Sequence, residues 1–207
     1  MADRSAVVAA IAHGVIDAEL AALLWVLTDS GVPLVVASRL SESATELRAA
    51  FTSEAGGVLL ADSLEEVLRL SGAPGGAIPD ELRELGIVVI VGEVDGWARV
   101  MAAHYIRRLE RDAGGHLQRR PPAVLAAWDQ ADGRLEHFWW AITADLADHA
   151  GTSGDELERR QADRAEFLRA LAAGSGHANQ AGQQGQAGQA GLAGHAGHSD
   201  HAGHSHG

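Results

Sequence analysis

The sequence predicts an α/β fold in which a short parallel sheet comes first and an antiparallel meander follows. Three observations carry that prediction. Short apolar runs at 33–37, 57–61 and 87–91 alternate with helical stretches, the order that builds parallel strands. The last run, Ile87-Val88-Val89-Ile90-Val91, is β-branched throughout with no polar alternate, as expected of a central strand buried on both faces. Beyond it, Glu93-Val94-Asp95-Gly96, Asp112-Ala113-Gly114-Gly115 and Asp132-Gly133 are turn signals at hairpin spacing.

The elements follow in order. Residues 6–12 form a short helix. Asp17 is a suitable N-cap for AELAALLWVLTDS, whose Leu20, Leu23, Leu24 and Leu27 share one face, and Gly31 closes that helix. The strand at 33–37 leads to Ser43-x-x-Glu46, a capping-box pattern that opens a helix to about residue 51. The strand at 57–61 is followed by Asp62 or Ser63 as the cap of a helix over 64–70. The breaker run SGAPGGA then precedes another short helix at 79–85. The meander takes strands at 97–106, 116–128 and 134–140. A helix at 144–149 and a long one at 155–172, capped by Ser153, end the folded part. From Gly174 the chain reads GSGHANQAGQQGQAGQAGLAGHAGHSDHAGHSHG, where Leu192 is the only large apolar residue. No core can form there, so the expectation is a domain over 1–173 and a disordered Gly/Ala/Gln/His-rich tail over 174–207.

Composition excludes several chemistries. The 207 residues are 46% apolar and contain no Cys, so disulfides, thiolate metal sites and cysteine nucleophiles are absent together. All 16 basic residues are Arg, which removes any phosphate-loop lysine or Schiff-base amine. The net charge of −12 argues against a nucleic-acid partner, since such binding works by displacing counterions with positive charge. Arg107, Arg108, Arg111, Arg119 and Arg120 could hold an anionic partner but read first as a solvated hairpin surface. No apolar run approaches the roughly 18 residues of a membrane helix, and MADRSAVVAAIAHG lacks the features of a secretory signal, so the cytoplasm is the expected compartment.

The stretch GVPLVVASRLSESATELRAAF sets an apolar strand, a small-residue turn and a helix in succession, the frame of a phosphate-binding loop. That chemistry needs GxxxxGK[ST]: glycines that let backbone N–H groups close on phosphate, a lysine, and a hydroxyl for Mg²⁺. The aligned positions here are Ala37, Glu42, Ser43 and Ala44, with Thr45 the nearest hydroxyl, one residue late. Glu42 also puts an anion at the helix N-terminus, where phosphate would sit.

GVIDAELAALLWVLTDSGVPLVVAS resembles the segment that enters the phosphate loop in ATPases of the type II/type IV secretion and pilus-motor superfamily. ADSLEEVLRL resembles the stretch after their histidine box. ELRELGIVVIVG and RVMAAHYIRRLERDAGGHLQRRPPAVLAAWD resemble their C-terminal strand and hairpin. The resemblance implies a partial P-loop-NTPase-like sheet and, in the family, ATP with Mg²⁺ in a hexameric ring. Carried over by residue, it places Ser43 at the lysine and Leu60 at the histidine of the box. Only residues 38–57 remain where the family keeps its Walker B strand and aspartate box. It therefore implies a shortened pseudoenzyme, with neither ATPase activity nor ATP and Mg²⁺ as cofactors expected. Such a chain would serve as an interaction or regulatory module, with an intact ATPase paralogue or a second copy of itself as partner. Atypical ATP binding is the alternative.

Two further features bear on function. Phe138-Trp139-Trp140, with Glu136 and His137, could form an exposed aromatic binding patch, but reads first as an apolar strand end packed under the last helices, while His104 and Tyr105, adjacent in a strand, point to opposite faces and make a poor catalytic pair. In the tail, His195, His198, Asp200, His201, His204 and His206 could gather around Zn²⁺, Ni²⁺ or Cu²⁺, so metal binding or buffering is a separate functional reading. His104, His116, His137 and His149 are scattered, and no metal is expected among them.

Overall fold

The computed structural model describes residues 3–51, 56–72, 86–107, 109–111, 114–115 and 117–189. The chain opens with α1 (Arg4–Ala12) and α2 (Ala18–Asp29). Asp17 caps α2 as its spacing requires, its Oδ1 accepting from Leu20 N at 2.9 Å. Gly31 then takes φ 84°, a left-handed exit that costs glycine nothing. Next come β1 (Leu34–Ser38), α3 (Ser41–Phe51), β2 (Gly56–Leu59), α4 (Leu64–Gly72) and β3 (Ile87–Val94). Strands β1, β2 and β3 are parallel, in the spatial order β2-β1-β3. The first crossover runs outward from β1 and the second returns past it, so right-handed connections send α3 and α4 to opposite faces of the sheet.

The antiparallel half is β4 (Trp97–Tyr105), β7 (Ala123–Asp129) and β8 (Arg134–His137), completing the order β2-β1-β3-β4-β7-β8. Asp95 and Gly96, at φ 53° and 80°, make the two-residue turn between β3 and β4, whose double positive φ matches the twist of a hairpin. A separate two-stranded ribbon, β5 (Leu109–Arg111) with β6 (Leu117–Arg119), interrupts the meander. After β8 come a 3₁₀ turn (Trp139–Ile142), α5 (Thr143–His149) and α6 (Gly154–Gln189).

The main core lies between one sheet face and α1, α2, α3 and α6. Leu20, Leu23, Leu24 and Leu27 of α2 meet Ile87, Val89 and Val91 of β3 and Leu157 and Leu168 of α6. A smaller cluster on the other face joins Val35, Ala37, Val88 and Ile90 to Val67 of α4. β3 is thus buried on both sides, as its unbroken β-branched run predicts. Arg164 holds α6 to α2 by lying 4.9 Å over the Trp25 ring and pairing with Asp29 at 2.9 Å.

Several expectations are corrected. α3 begins at Ser41, so Ser43 lies inside its first turn and is not a cap. The turn is closed earlier, by Ser38 Oγ accepting from Leu40 N at 2.9 Å. A side-chain cap stands instead at α4, where Ser63 Oγ accepts from Glu66 N and Glu66 Oε2 accepts from Asp62 N, one residue before the cap. The single strand expected at 116–128 is two, β6 and β7, because Pro121 and Pro122 offer no N–H to a ladder. The helix expected at 79–85 lies outside the described residues. The backbone of α6 is helical from Gly154 to Gln189, across the position of the domain boundary expected at 174. Residues 190–207, with His195, His198, Asp200, His201, His204 and His206, lie outside the described residues.

Candidate functional site

Only Arg39 and Leu40 separate β1 from α3, too short a connection to wrap backbone N–H groups around a phosphate. Ala37 is buried in β1, Ala44 is buried in α3, and Glu42 and Thr45 are exposed on α3 beside half-buried Ser43. Arg39, the cation nearest this loop, is held by Glu66 at 3.0 Å and by Asp62 at 3.5 Å. Leu60, aligned with the motor histidine, is exposed just past β2. The aligned positions are close in space, but their shape is that of a tight strand-to-helix connection.

A second constellation forms where the N-terminus of α2 meets β8 and α6. Asp17 divides its carboxylate: Oδ1 caps α2, and Oδ2 lies 2.8 Å from His137 Nε2, 120 residues away in sequence. Glu19 accepts from Arg169 at 2.9 Å through Oε1, while its carbonyl accepts from Gln161 Nε2 at 3.0 Å. Burial pulls the His137 pKa down, but the hydrogen bond to Asp17 and the charges of Asp17 and Glu19 outweigh it and hold the imidazole above its ordinary value. Beside the group opens a cavity of about 470 Å³ lined by Arg99, Trp128, Gly133, Arg134, Leu135 and Arg169, among others.

Asp17, Glu19 and His137 offer three metal-ligand atoms within 4.8 Å of one another, a grouping the sequence conceals. Cationic charge already occupies it. Arg169 sits on Glu19, a proton bridges His137 and Asp17, and Arg99 and Arg134 line the same cavity. A metal ion would have to displace Arg169 and that proton while meeting two further guanidinium groups. In this geometry the group works as a clasp that ties β8 and α6 to the start of α2.

The third constellation is the outer edge of β8. Among the described residues, β8 pairs with β7 on one side and with no strand on the other. Phe138 is 38% exposed and Trp140 67% exposed, which corrects the expectation that this aromatic run packs away. The strand stops at His137, and the 3₁₀ turn that follows repeats every three residues. Trp139 and Ile142 therefore face the core together, and Trp140 is turned out. Trp140 Nε1 donates to His137 O at 3.1 Å, fixing the indole against the strand end. Arg134, Leu135, Glu136, His137, Phe138 and Trp140 line a cleft of about 340 Å³ along this edge.

His104 and Tyr105 do face opposite ways: Tyr105 is in the main core with its hydroxyl 2.9 Å from His149 Nδ1, while burial on the other face lowers the His104 pKa. Arg107, expected on a solvated surface, instead ties the meander to α5 through Asp145 at 2.7 Å and donates to Pro121 O at 2.9 Å. No described helix is long and apolar enough to cross a membrane. Comparison with models of known families and with curated proteins finds no match to this chain.

Proposed function

We propose that this chain is a non-catalytic protein-interaction module whose partner binds at the outer edge of β8. The observation that carries this reading is the pairing of an open strand edge with two exposed aromatic side chains, Phe138 and Trp140, around one cleft. Folded proteins normally blunt an open edge with charge, proline or a covering element, because unpaired N–H and C=O groups recruit other strands. β8 is short and carries Arg134 and Glu136, devices of that kind, but its outer edge is also bordered by aromatic surface, the residue type enriched at interface hot spots. An incoming strand would gain main-chain hydrogen bonds from β8 and apolar contact from the two rings.

The non-catalytic half of the proposal is supported by the two-residue β1–α3 connection and by Glu42 in the first turn of α3. Descent from a secretion-type motor belongs to the same proposal, but the interaction reading does not depend on it. The net charge of −12 points to protein rather than nucleic acid as the partner.

Each half has its own test. Titration with a fluorescent ATP analogue and Mg²⁺ is expected to give no saturable binding up to millimolar nucleotide. Micromolar binding displaced by unlabelled ATP would refute the non-catalytic half. A photoreactive aromatic residue at position 140 is expected to give discrete adducts in cells, while the same group at exposed Asp163 on α6 gives none. Equal labelling from both positions, or none from 140, would remove the β8 edge as the binding site.

A further inference from the structure

We infer that the partner at the β8 edge is a second copy of this chain, paired antiparallel about Leu135; this deepens, and rests on, the reading of that edge as the binding site. The argument begins with the backbone. Phe138 N donates inward to Leu125 O at 2.8 Å, and the register pairs Ala126 with His137 and Trp128 with Leu135. Hydrogen-bonding direction alternates along a strand. Arg134 and Glu136 therefore direct their N–H and C=O toward β7, while Leu135 and His137 direct theirs outward. Trp140 Nε1 takes the outward carbonyl of His137. Among the described residues, the N–H and C=O of Leu135 and the N–H of His137 are left for a new strand.

A two-fold axis at Leu135 uses all three. Leu135 exchanges both of its bonds with Leu135 of the second copy, and each His137 N–H meets the other copy's Gly133 C=O. Side chains select the same register. Arg134 and Glu136 both point away from the face that buries Leu135, and this pairing sets Arg134 of each copy opposite Glu136 of the other. Moving the axis one residue either way puts Glu136 against Glu136 or Arg134 against Arg134. Arg-Leu-Glu is thus self-complementary in one antiparallel register only. In that register Phe138 lies across from the β7–β8 turn of the second copy, so the aromatic surface closes both ends of the ribbon. The result is one sheet continuous through both copies, closed by a two-fold axis that leaves neither β8 edge open.

Sedimentation of the full chain in EDTA, which keeps metals on the tail histidines from linking molecules, tests this directly. The wild type is expected to double its mass with rising concentration. Arg134→Glu alone and Glu136→Arg alone should each stay monomeric, since each sets like charges together twice. An equimolar mixture of the two variants should recover the dimer, because every pairing across the axis is then complementary again. Circular dichroism checks that the single variants fold; both side chains are exposed, and among the described residues Arg134 pairs with Asp132 at the surface. A wild type that is monomeric at all concentrations, a dimer indifferent to either substitution, or a mixture that stays monomeric would overturn the inference. A monomeric wild type that still gives adducts from position 140 would leave the β8 edge as a binding site while excluding the second copy as its occupant.

Discussion

His137 ties β8 to the start of α2 through one ring nitrogen, because Asp17 spends one oxygen on the α2 cap and the other on this imidazole. Its pKa is raised in the folded state, so the pair contributes stability that is fully present below the unfolded value of about 6.5 and is lost as pH rises through the higher folded value. Melting curves of wild type and His137→Gln, recorded from pH 5.5 to 9, should therefore diverge most in acid and draw together in base. A gap that stays constant across that range would mean a neutral hydrogen bond with no titration behind it. Half of this site was legible in the sequence. The cap was readable because Asp17 and Leu20 are three residues apart, and a cap is a local device. The bond to His137 was not, because nothing in either segment records which hairpin will reach the N-terminus of α2.

Elements whose boundaries are set by local chemistry lie close to where their residues place them. β3 starts at Ile87 as expected, β1 and β2 are within one or two residues, and Asp95-Gly96 makes the hairpin turn that its type demands. Errors fall where tertiary context overrides a local pattern, as at Ser43, whose capping signature is buried inside a helix that Ser38 has already begun. Gly86 was legible only as the residue before β3, yet it controls how closely β3 enters beside β1. A Cβ there would lie 2.7 Å from Val32 Cγ1 and 2.8 Å from the Pro33 carbonyl oxygen, and the backbone cannot rotate out of the way as a side chain could. Gly86→Ala should cost about 1–3 kcal/mol as an overpacked site, lowering the melting temperature by roughly 3–10 °C for a domain of this size. Pro33→Ala in the same background should recover part of that loss by removing the Cδ contact at 2.9 Å, while the carbonyl contact persists. An unchanged melting temperature for Gly86→Ala would mean that the two parallel strands can part without cost.

At the scale of the whole molecule, the alternation of runs and helices implies parallel strands, and the handedness of crossovers places α3 and α4 on opposite faces. What no local pattern carries is which strand ends the sheet. Among the described residues β8 ends the sheet while β5 and β6 pair with each other outside it, and the 3₁₀ turn after β8 leaves Trp140 exposed. The tail is the opposite case, since its histidine spacing is chemistry that needs no fold. Among the side chains described, α6 buries Leu157, Gln161, Ala165 and Leu168, all before residue 174. Removing residues 174–207 should therefore shift the melting temperature by no more than about 2 °C, the scale of an exposed-surface change. If the tail histidines hold Zn²⁺ or Ni²⁺, the same deletion should abolish binding that in the full chain weakens below about pH 6 as imidazoles protonate. Binding retained after the deletion would move the metal into the fold. Asp17, Glu19 and His137 would then be the ligands to test, and His137→Gln in the shortened chain would decide whether an ion can displace Arg169 from Glu19.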